Sequence, residues 1–416
     1  MKFETISVVG LGYIGLPTAA VIASNGIRVV GVDVNQHAVD TINQGMIHIV
    51  EPGLEDLVKR AVNDGHLTAH TSPQKADAFL IAVPTPFKGE EHEPDLKYIE
   101  SASRALAPML EKGNLVVLES TSPVGATEQM AKWLAEERSD LTFPHTVVEG
   151  QTPDIFVAHC PERVLPGQVI RELVENDRII GGMDEASTAA ATQVYKMFVK
   201  KGECIATSAR TAEMSKLTEN AFRDVNIAFA NELSLICDQQ GINVWELISL
   251  ANRHPRVNIL QPGCGVGGHC IAVDPWFIVN QNPETAKMIR QARLVNDYKP
   301  QYVVEQVEKA VAGISNPKIA CLGLAFKPDI DDLRESPALD ITKTLAANTA
   351  YQILAVEPNI KELPPTLANI NNVQFCTLSD ALRNADAIVI LVRHSQFVGV
   401  ANSNTEKSKS LNFVNA

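Results

Sequence analysis

The chain has 416 residues, 45% hydrophobic and 20% charged, with a formal charge of −13 at pH 7. That length exceeds one compact core and implies two or three domains. The ordinary apolar share excludes extensive disorder. The acidic balance excludes a general nucleic-acid or anionic-membrane surface, though not a small anionic ligand held by local Arg and Lys.

The first predicted strand covers residues 5–9, with no basic and apolar leader before it. No apolar run reaches the roughly 20 residues that span a bilayer. The seven cysteines are odd in number and lack framework spacing, which fits reduced thiols. Cys264 and Cys270 beside His269 do not match zinc-ligand spacing. The expectation is a soluble cytoplasmic protein with no metal, no nucleic-acid partner and no membrane contact.

Further strands are predicted at 28–32, 78–83, 115–118 and 155–158. Helical periods lie between them, such as 14–24, closed by Asn25-Gly26. This alternation indicates a doubly wound parallel sheet over residues 1–205. Residues 208–240 hold neither Pro nor Gly and repeat apolar residues at helical spacing, predicting one helix of about 30 residues. A helix of that length connects domains or forms a subunit interface, and it opens a helical middle over 206–312. Strands return at 318–324, 352–356 and 387–392, within a third domain at 313–400. The polar stretch 401–416 reads as a frayed tail. An internal echo relates the halves: Ala76-Asp77-Ala78 and the apolar run to Val83 resemble Ala385-Asp386-Ala387 and the run to Val392, and 6–12 resembles 319–323. The predicted fold is therefore α/β, two Rossmann-like doubly wound domains joined by a long central helix and a helical middle domain.

After the first strand stands Gly10-Leu11-Gly12-Tyr13-Ile14-Gly15. In such a loop the first glycine permits a tight turn, the second lets backbone approach a pyrophosphate, and the third lets helix and strand pack closely. Asp33 ends the second strand, where an acid bonds the ribose hydroxyls of an adenosine, and no Arg follows to pair a 2′-phosphate. The pattern predicts NAD. A ligand-free Rossmann turn is the plain alternative. The loops 83–86 and 119–125 end strands at the same sheet edge, making Thr85 and Thr121 candidate cofactor neighbours; Pro-shaped turns with capping hydroxyls are the alternative.

The Gly-rich segment 261–275 places four glycines before or beside His269-Cys270, with Asp274 four residues on. Exposed amides in such a loop cradle an anion or oxyanion, and a Cys following it is placed as a nucleophile. The alternative is a structural Cys beside a turn. Lys216, Asn220 and Arg223 stand at i, i+4 and i+7, one face of the long helix, which taken alone is equally a solvated face.

These motifs together resemble the UDP-glucose/GDP-mannose dehydrogenase family. They are the Gly10 loop, 83–86, 119–125, Cys160-Pro161-Glu162-Arg163, 216–220, 263–274, 323–328 and 332–337. The likeness runs to about Phe397. It implies two successive oxidations of the C6 alcohol of a UDP-sugar by NAD without release of the aldehyde, through a thiohemiacetal and thioester on Cys270. It implies Lys216 as acid/base and oxyanion group, Asn220 as holder of water or the C6 oxygen, Asp274 in support of hydrolysis and Glu162 as general base. It further implies Tyr13, Ile14, Thr127 and Arg334 beside the cofactor. Phosphate and sugar recognition falls to Arg163, Val164, Arg223, His254, Arg256, Gly267, Phe326 and Lys327, and the protein is expected as a homodimer or higher homo-oligomer.

The sequence also departs from the glucose branch. That branch shows Ser-Cys-Phe-Pro-Lys-Asp where this chain has His269-Cys270-Ile271-Ala272-Val273-Asp274, and carries an acid where Pro166 stands. Residues 253–258 resemble the acetamido-sugar branch. The implied substrate is UDP-N-acetyl-D-mannosamine, oxidised to its uronate for a bacterial surface polysaccharide such as enterobacterial common antigen, with UDP-N-acetylglucosamine or UDP-glucose as alternatives. Relatives end in another strand and an Asp-x-x-Gly turn, which the sequence after Phe397 does not display. A one-step hydroxy-acid dehydrogenase would need neither Cys270 nor the second nucleotide-binding half, and a non-catalytic NAD-binding protein would be expected to lose Lys216 or Cys270.

Overall fold

Short apolar runs buried on both faces are what a parallel sheet under two helical layers demands, and the computed structural model builds two such sheets. It describes residues 2–89, 91–148, 151–165, 167–268, 270–400 and 408–416. Pro166, His269 and residues 401–407 of the expected tail lie outside the described residues.

The chain divides into two units, Met1–Thr218 and Glu219–Ala416. The first is built on β1 (Thr5–Val9), β2 (Arg28–Val32), β3 (Leu67–His70) and β4 (Ala78–Ile81). A short antiparallel hairpin, β5 (Phe87–Lys88) and β6 (Glu93–Pro94), follows. Then come β7 (Leu115–Leu118), β8 (Phe156–His159), β9 (Arg178–Gly182) and β10 (Cys204–Ser208). Eight of these form one sheet in the order β10-β9-β8-β7-β4-β1-β2-β3, parallel throughout except between β8 and β9. Alternate residues enter opposite cores: Val8, Leu80 and Val117 on one side, Val9, Ile81 and Val116 on the other. The order reverses between β1 and β4, and at such a switch point the loops splay apart and leave a crevice.

The second unit carries β11 (Lys318–Leu322), β12 (Gln352–Val356), β13 (Val373–Phe375), β14 (Ala387–Ile390) and β15 (Lys409–Asn412). These form an all-parallel sheet in the order β13-β12-β11-β14-β15. The sequence echo is visible atom by atom. Gly10 and Gly323 both take left-handed φ values, +92° and +97°. Each donates its N–H at 2.8 Å to the last carbonyl of the next strand, Val32 and Val356. Leu11 and Leu324 then donate, also at 2.8 Å, to Asp33 and Glu357. Asp77 and Asp386 likewise accept the amides that open β1 and β11.

The predicted long helix is Ala209–Gln240, 32 residues, and the boundary between the units falls within it. Helices Val244–Ala251, Asp274–Gln281 and Lys287–Val311 follow. A buried polar chain ties the second unit's part of the long helix to Lys287–Val311: Arg293 and Asn296 donate to Asp224, and Asn231 donates to Asn296. Among the described residues no helix is long and apolar enough to cross a membrane.

The expected frayed tail is corrected for residues 408–416. Lys409–Asn412 pairs in parallel with β14, and Leu411, Phe413 and Val414 pack against the core. Asn412 Oδ1 accepts the N–H groups of Val414 and Ala416, both at 3.2 Å. The strand is an edge of four residues with exposed Lys409 and Ser410, so its composition resembles that of a tail. Removing residues 408–416 uncovers one edge of β14 and should cost about 2–4 kcal/mol, from partial loss of three apolar side chains. An unchanged urea transition of the second unit would show that β15 contributes nothing.

Candidate active site

At the switch point the Gly10 loop is set by contacts within the protein. A Cβ on Gly15 would lie 1.7 Å from the Gly10 carbonyl oxygen, so helix Gly15–Ser24 can approach β1 only through glycine. Gly12 differs: a Cβ there meets nothing within 4 Å. No protein neighbour requires glycine at position 12, which is what a position kept small for a ligand looks like. Tyr13 is 48% exposed beside it, and Ile14 is the N-cap residue. Asp33 accepts from Leu11 at 2.8 Å on one oxygen and from Asn35 at 2.9 Å on the other. Each carboxylate oxygen has a further lone pair for a ribose hydroxyl. The turn thus fits a dinucleotide.

The loops after β4 and β7 are joined. Thr85 donates its hydroxyl to the Thr121 carbonyl, and Ser120 donates to Val83 O at 2.6 Å. Glu213, on the long helix, accepts from Gly125 N at 2.6 Å, Thr127 N at 2.8 Å and the Thr127 hydroxyl at 2.6 Å. It therefore satisfies the first amides of helix Ala126–Glu137. Thr127 is fully buried, with its hydroxyl proton committed to Glu213. Sequence reasoning missed Glu213, although it stands three residues before Lys216, on the same helical face.

Beyond β8, Glu162 is buried, paired with Arg178 at 2.8 Å and accepting the Arg163 N–H at 2.6 Å. Arg163 donates to the Asp177 carbonyl at 3.2 Å, and Val164 beside it is half-buried. Glu119 is also buried and accepts the Tyr195 hydroxyl at 2.5 Å. Its burial, reinforced by nearby Glu162, pushes its carboxyl up to about 7, against the Tyr195 hydrogen bond and Arg178. Arg178 and Tyr195 were not found from sequence, because neither stands within a motif: Arg178 follows Asn176-Asp177 and Tyr195 lies in an ordinary helical run before Lys196.

Along the long helix Lys216 is half-buried, Asn220 buried and Arg223 exposed. Asn220 donates to Asp274 Oδ2, so two of the candidates are brought together. Cys270 opens the turn that leads into helix Asp274–Gln281, and its carbonyl accepts from Val273 at 3.1 Å and Asp274 at 2.9 Å. Of the seven cysteines only Cys270 is exposed. Burial pushes the Cys264 and Cys321 thiols up to about 12 and raises the Cys160 thiol as well, leaving those inert near neutrality.

The expectation that the Gly-rich loop leaves its amides free is corrected at Gly268, which donates to Glu335 O at 3.3 Å. The glycines serve close packing. A Cβ on Gly267 would sit 2.5 Å from Glu335 O and 2.6 Å from Pro337, and one on Gly268 2.8 Å from the Phe326 ring. At the loop's start Gly263 N–H donates to Asn231 at 2.9 Å, which joins the loop to the buried chain through Asn296 and Asp224. Phe326 is half-buried, Lys327 exposed, and Arg334 bonded to Asp332 at 2.6 Å. His254 and Arg256 lie on an exposed turn, closed by Asn252 through reciprocal bonds to Ile259.

Three domain profiles of the UDP-glucose/GDP-mannose dehydrogenase family match the chain: the NAD binding domain over residues 4–199, the central domain over 210–298 and the UDP binding domain over 320–414. A UDP-N-acetyl-D-mannosamine dehydrogenase of Campylobacter jejuni is 68% identical, covering 96% of this chain and 97% of its own. An NDP-N-acetyl-D-galactosaminuronic acid dehydrogenase of Ralstonia solanacearum is 64% identical, covering 95% and 92%. The solved UDP-N-acetyl-mannosamine dehydrogenase of Staphylococcus aureus is 40% identical, with a TM-score of 0.85 over 99% of both chains.

The two glycines of the first turn should respond oppositely to substitution. Gly12→Ala should leave thermal stability within about 0.5 kcal/mol while weakening NAD binding about tenfold or more. Gly15→Ala should destabilise the first unit by about 2–4 kcal/mol through backbone collision. Calorimetric titration with NAD and a melting curve separate the two. Unimpaired NAD binding by Gly12→Ala would remove the turn from the cofactor site.

Proposed function

We propose that this chain, which belongs to the UDP-glucose/GDP-mannose dehydrogenase family, oxidises the C6 alcohol of UDP-N-acetyl-D-mannosamine to the carboxylate, giving an activated uronic acid for surface polysaccharide. The observation that carries the reading is the exposure of Cys270 alone among seven thiols, at a glycine-built turn beside the Asn220–Asp274 pair. Residues 1–205 hold NAD, 206–312 carry the catalytic Lys and Cys, and the domain from 313 holds the uridine nucleotide. NAD, when bound, supplies the hydride acceptor for each of two oxidations.

The chain's own residues do the rest. Lys216 steadies negative charge on the C6 oxygen in both oxidations, its ammonium acting as a fixed charge in a site of low dielectric. Asn220 is oriented by Asp274 and presents its remaining groups to the C6 oxygen or to water. Cys270 adds as thiolate to the aldehyde, forming a C–S bond and an alkoxide that Lys216 stabilises. Loss of a second hydride from that carbon leaves a thioester. Water then attacks the thioester with its proton passing to Glu162, and the Cys270 thiolate leaves. Arg163, Arg223, His254, Arg256 and Lys327 supply donors and positive charge for the diphosphate and sugar. Gly267, Val164 and Phe326 set the shape around them.

The Ralstonia relative supports a second reading of the sugar, an acetamido sugar of another configuration. NADH formed per sugar consumed should be two, with UDP-N-acetylmannosamine turned over in preference to UDP-glucose, UDP-N-acetylglucosamine and UDP-N-acetylgalactosamine. Cys270→Ser should lower two-NADH turnover by about a thousandfold while UDP-sugar still binds. A single NADH per sugar, or a serine variant turning over normally, refutes the covalent route.

The protein acts in the cytoplasm as a dimer built along the long helix. Phe222, Phe229 and Ile236 repeat every seven residues and are 68%, 51% and 43% exposed. Such an apolar stripe on a helix of this length asks for a partner. Light scattering should give twice the monomer mass, and Phe229→Asp should shift it toward monomer; an active wild-type monomer contradicts this.

A further inference from the structure

Glu119 and Glu162 follow β7 and β8 at their carboxyl ends and belong to one buried cluster. Among the described residues, the charged or titratable groups facing Glu119 are Glu162 from the loop after β8, Arg178 from β9, Tyr195 from helix Glu185–Tyr195, and the Cys160 thiol. Burial keeps that thiol neutral. Two carboxyls thus face one guanidinium. Arg178 is engaged by Glu162 at 2.8 Å and stands 5.9 Å from the Tyr195 ring centroid. Glu119 has only the Tyr195 hydroxyl on one oxygen, and its other oxygen is buried without a hydrogen-bond partner among the described residues.

A carboxylate held this way bears a desolvation cost that a proton removes. We propose that Glu119 is a positioning residue for Glu162: gain or loss of its proton switches Glu162 between a weaker and a stronger base. With Glu119 protonated, the cluster holds one carboxylate against one guanidinium, and the Glu162–Arg178 pair stands unopposed. With Glu119 ionised, like-charge repulsion makes proton uptake by Glu162 more favourable, and base catalysis improves accordingly. The ionisation of Glu119 near pH 7 puts the change in the working range. This inference rests on the assignment of Glu162 as the base.

The test is kcat of the complete oxidation from about pH 5.5 to 9, at saturating NAD and UDP-sugar. The wild-type acidic limb should rise in two steps, the upper one near neutrality and about threefold in size. Glu119→Gln should abolish the upper step and leave the lower rate. Tyr195→Phe removes a donor to the ionised carboxylate and should move the upper step to higher pH by about half a unit or more. A purely structural role lowers rates without displacing or deleting a step. Glu162→Gln should lose about a hundredfold or more at every pH, and near-normal activity there overturns the base assignment itself. If Glu162→Gln is inactive while Glu119→Gln and Tyr195→Phe keep the wild-type steps, the role of Glu119 alone is wrong. Should Glu119→Gln fail to fold, the Tyr195→Phe profile decides.

Discussion

The loops around the candidate site are fixed by one recurring interaction, a carboxylate that accepts backbone N–H groups where a strand gives way to a turn or helix. Asp33 holds Leu11 and Asn35, Glu213 holds Gly125 and Thr127, and Glu51 holds Gly167 and Val169. Glu357 holds Leu324, Ala325 and Asn359. Amides at a helix or turn start have no partner within their own element, and an ionised acceptor binds them more strongly than water-exposed alternatives would. Asn35 and Asn359 lie two residues beyond their carboxylates, but the other amides belong to segments distant in sequence, so the loop geometry is largely imposed by tertiary structure. Glu213 lies one helical turn before Lys216, so the helix that presents the lysine also holds the loop after β7.

The two sheets share this device and use it to opposite ends. In the first half Asp33 keeps lone pairs toward the open side of the turn, with Gly12 clear of protein atoms. In the second, the Glu357 carboxylate also meets buried His394, whose Nε2 lies 2.9 Å away. Asp329 donates its N–H to His394 Nδ1, so that nitrogen is an acceptor and Nε2 carries the proton toward Glu357. The acid that could face a ribose is consumed inside the protein. Ala325 and Pro328 stand where the second and third glycines would fall, so the second half keeps the strand-and-turn framework without the dinucleotide turn.

Much of this was legible in the sequence, because the strongest features are local. β1, β2, β7 and β12 are apolar runs bounded by turn residues, and helix Ala209–Gln240 is one unbroken period. The Gly10 loop and the surroundings of Cys270 are contiguous motifs. What escaped depends on neighbours. β3 and β10 are partly exposed, and β15 is exposed at Lys409 and Ser410 and only half-buried at Leu411 and Asn412. Glu213, Arg178, Tyr195 and Asp224 are ordinary polar residues until folding takes them out of water and supplies their partners. The glycines at 265, 267 and 268 suggested an anion cradle, whereas the structure spends them on contact with Pro300, Phe326 and Pro337.

That packing bears on how such a protein can change over evolutionary time. A side chain at Gly267 or Gly268 collides with backbone or ring atoms that cannot yield, so the turn before Cys270 admits almost no substitution. In residues 253–257, Arg253 and His254 donate their N–H groups to the Leu250 and Ala251 carbonyls and Val257 donates to His254 O, while Asn252 closes the turn through Ile259. The former bonds are made by backbone, and side chains there can be exchanged at little structural cost. Substitution is therefore channelled by packing: the exposed turn can take new side chains, while the turn before Cys270 cannot. One segment is built into a close-packed backbone and the other is hung on a loop, so the two differ in how freely they can change.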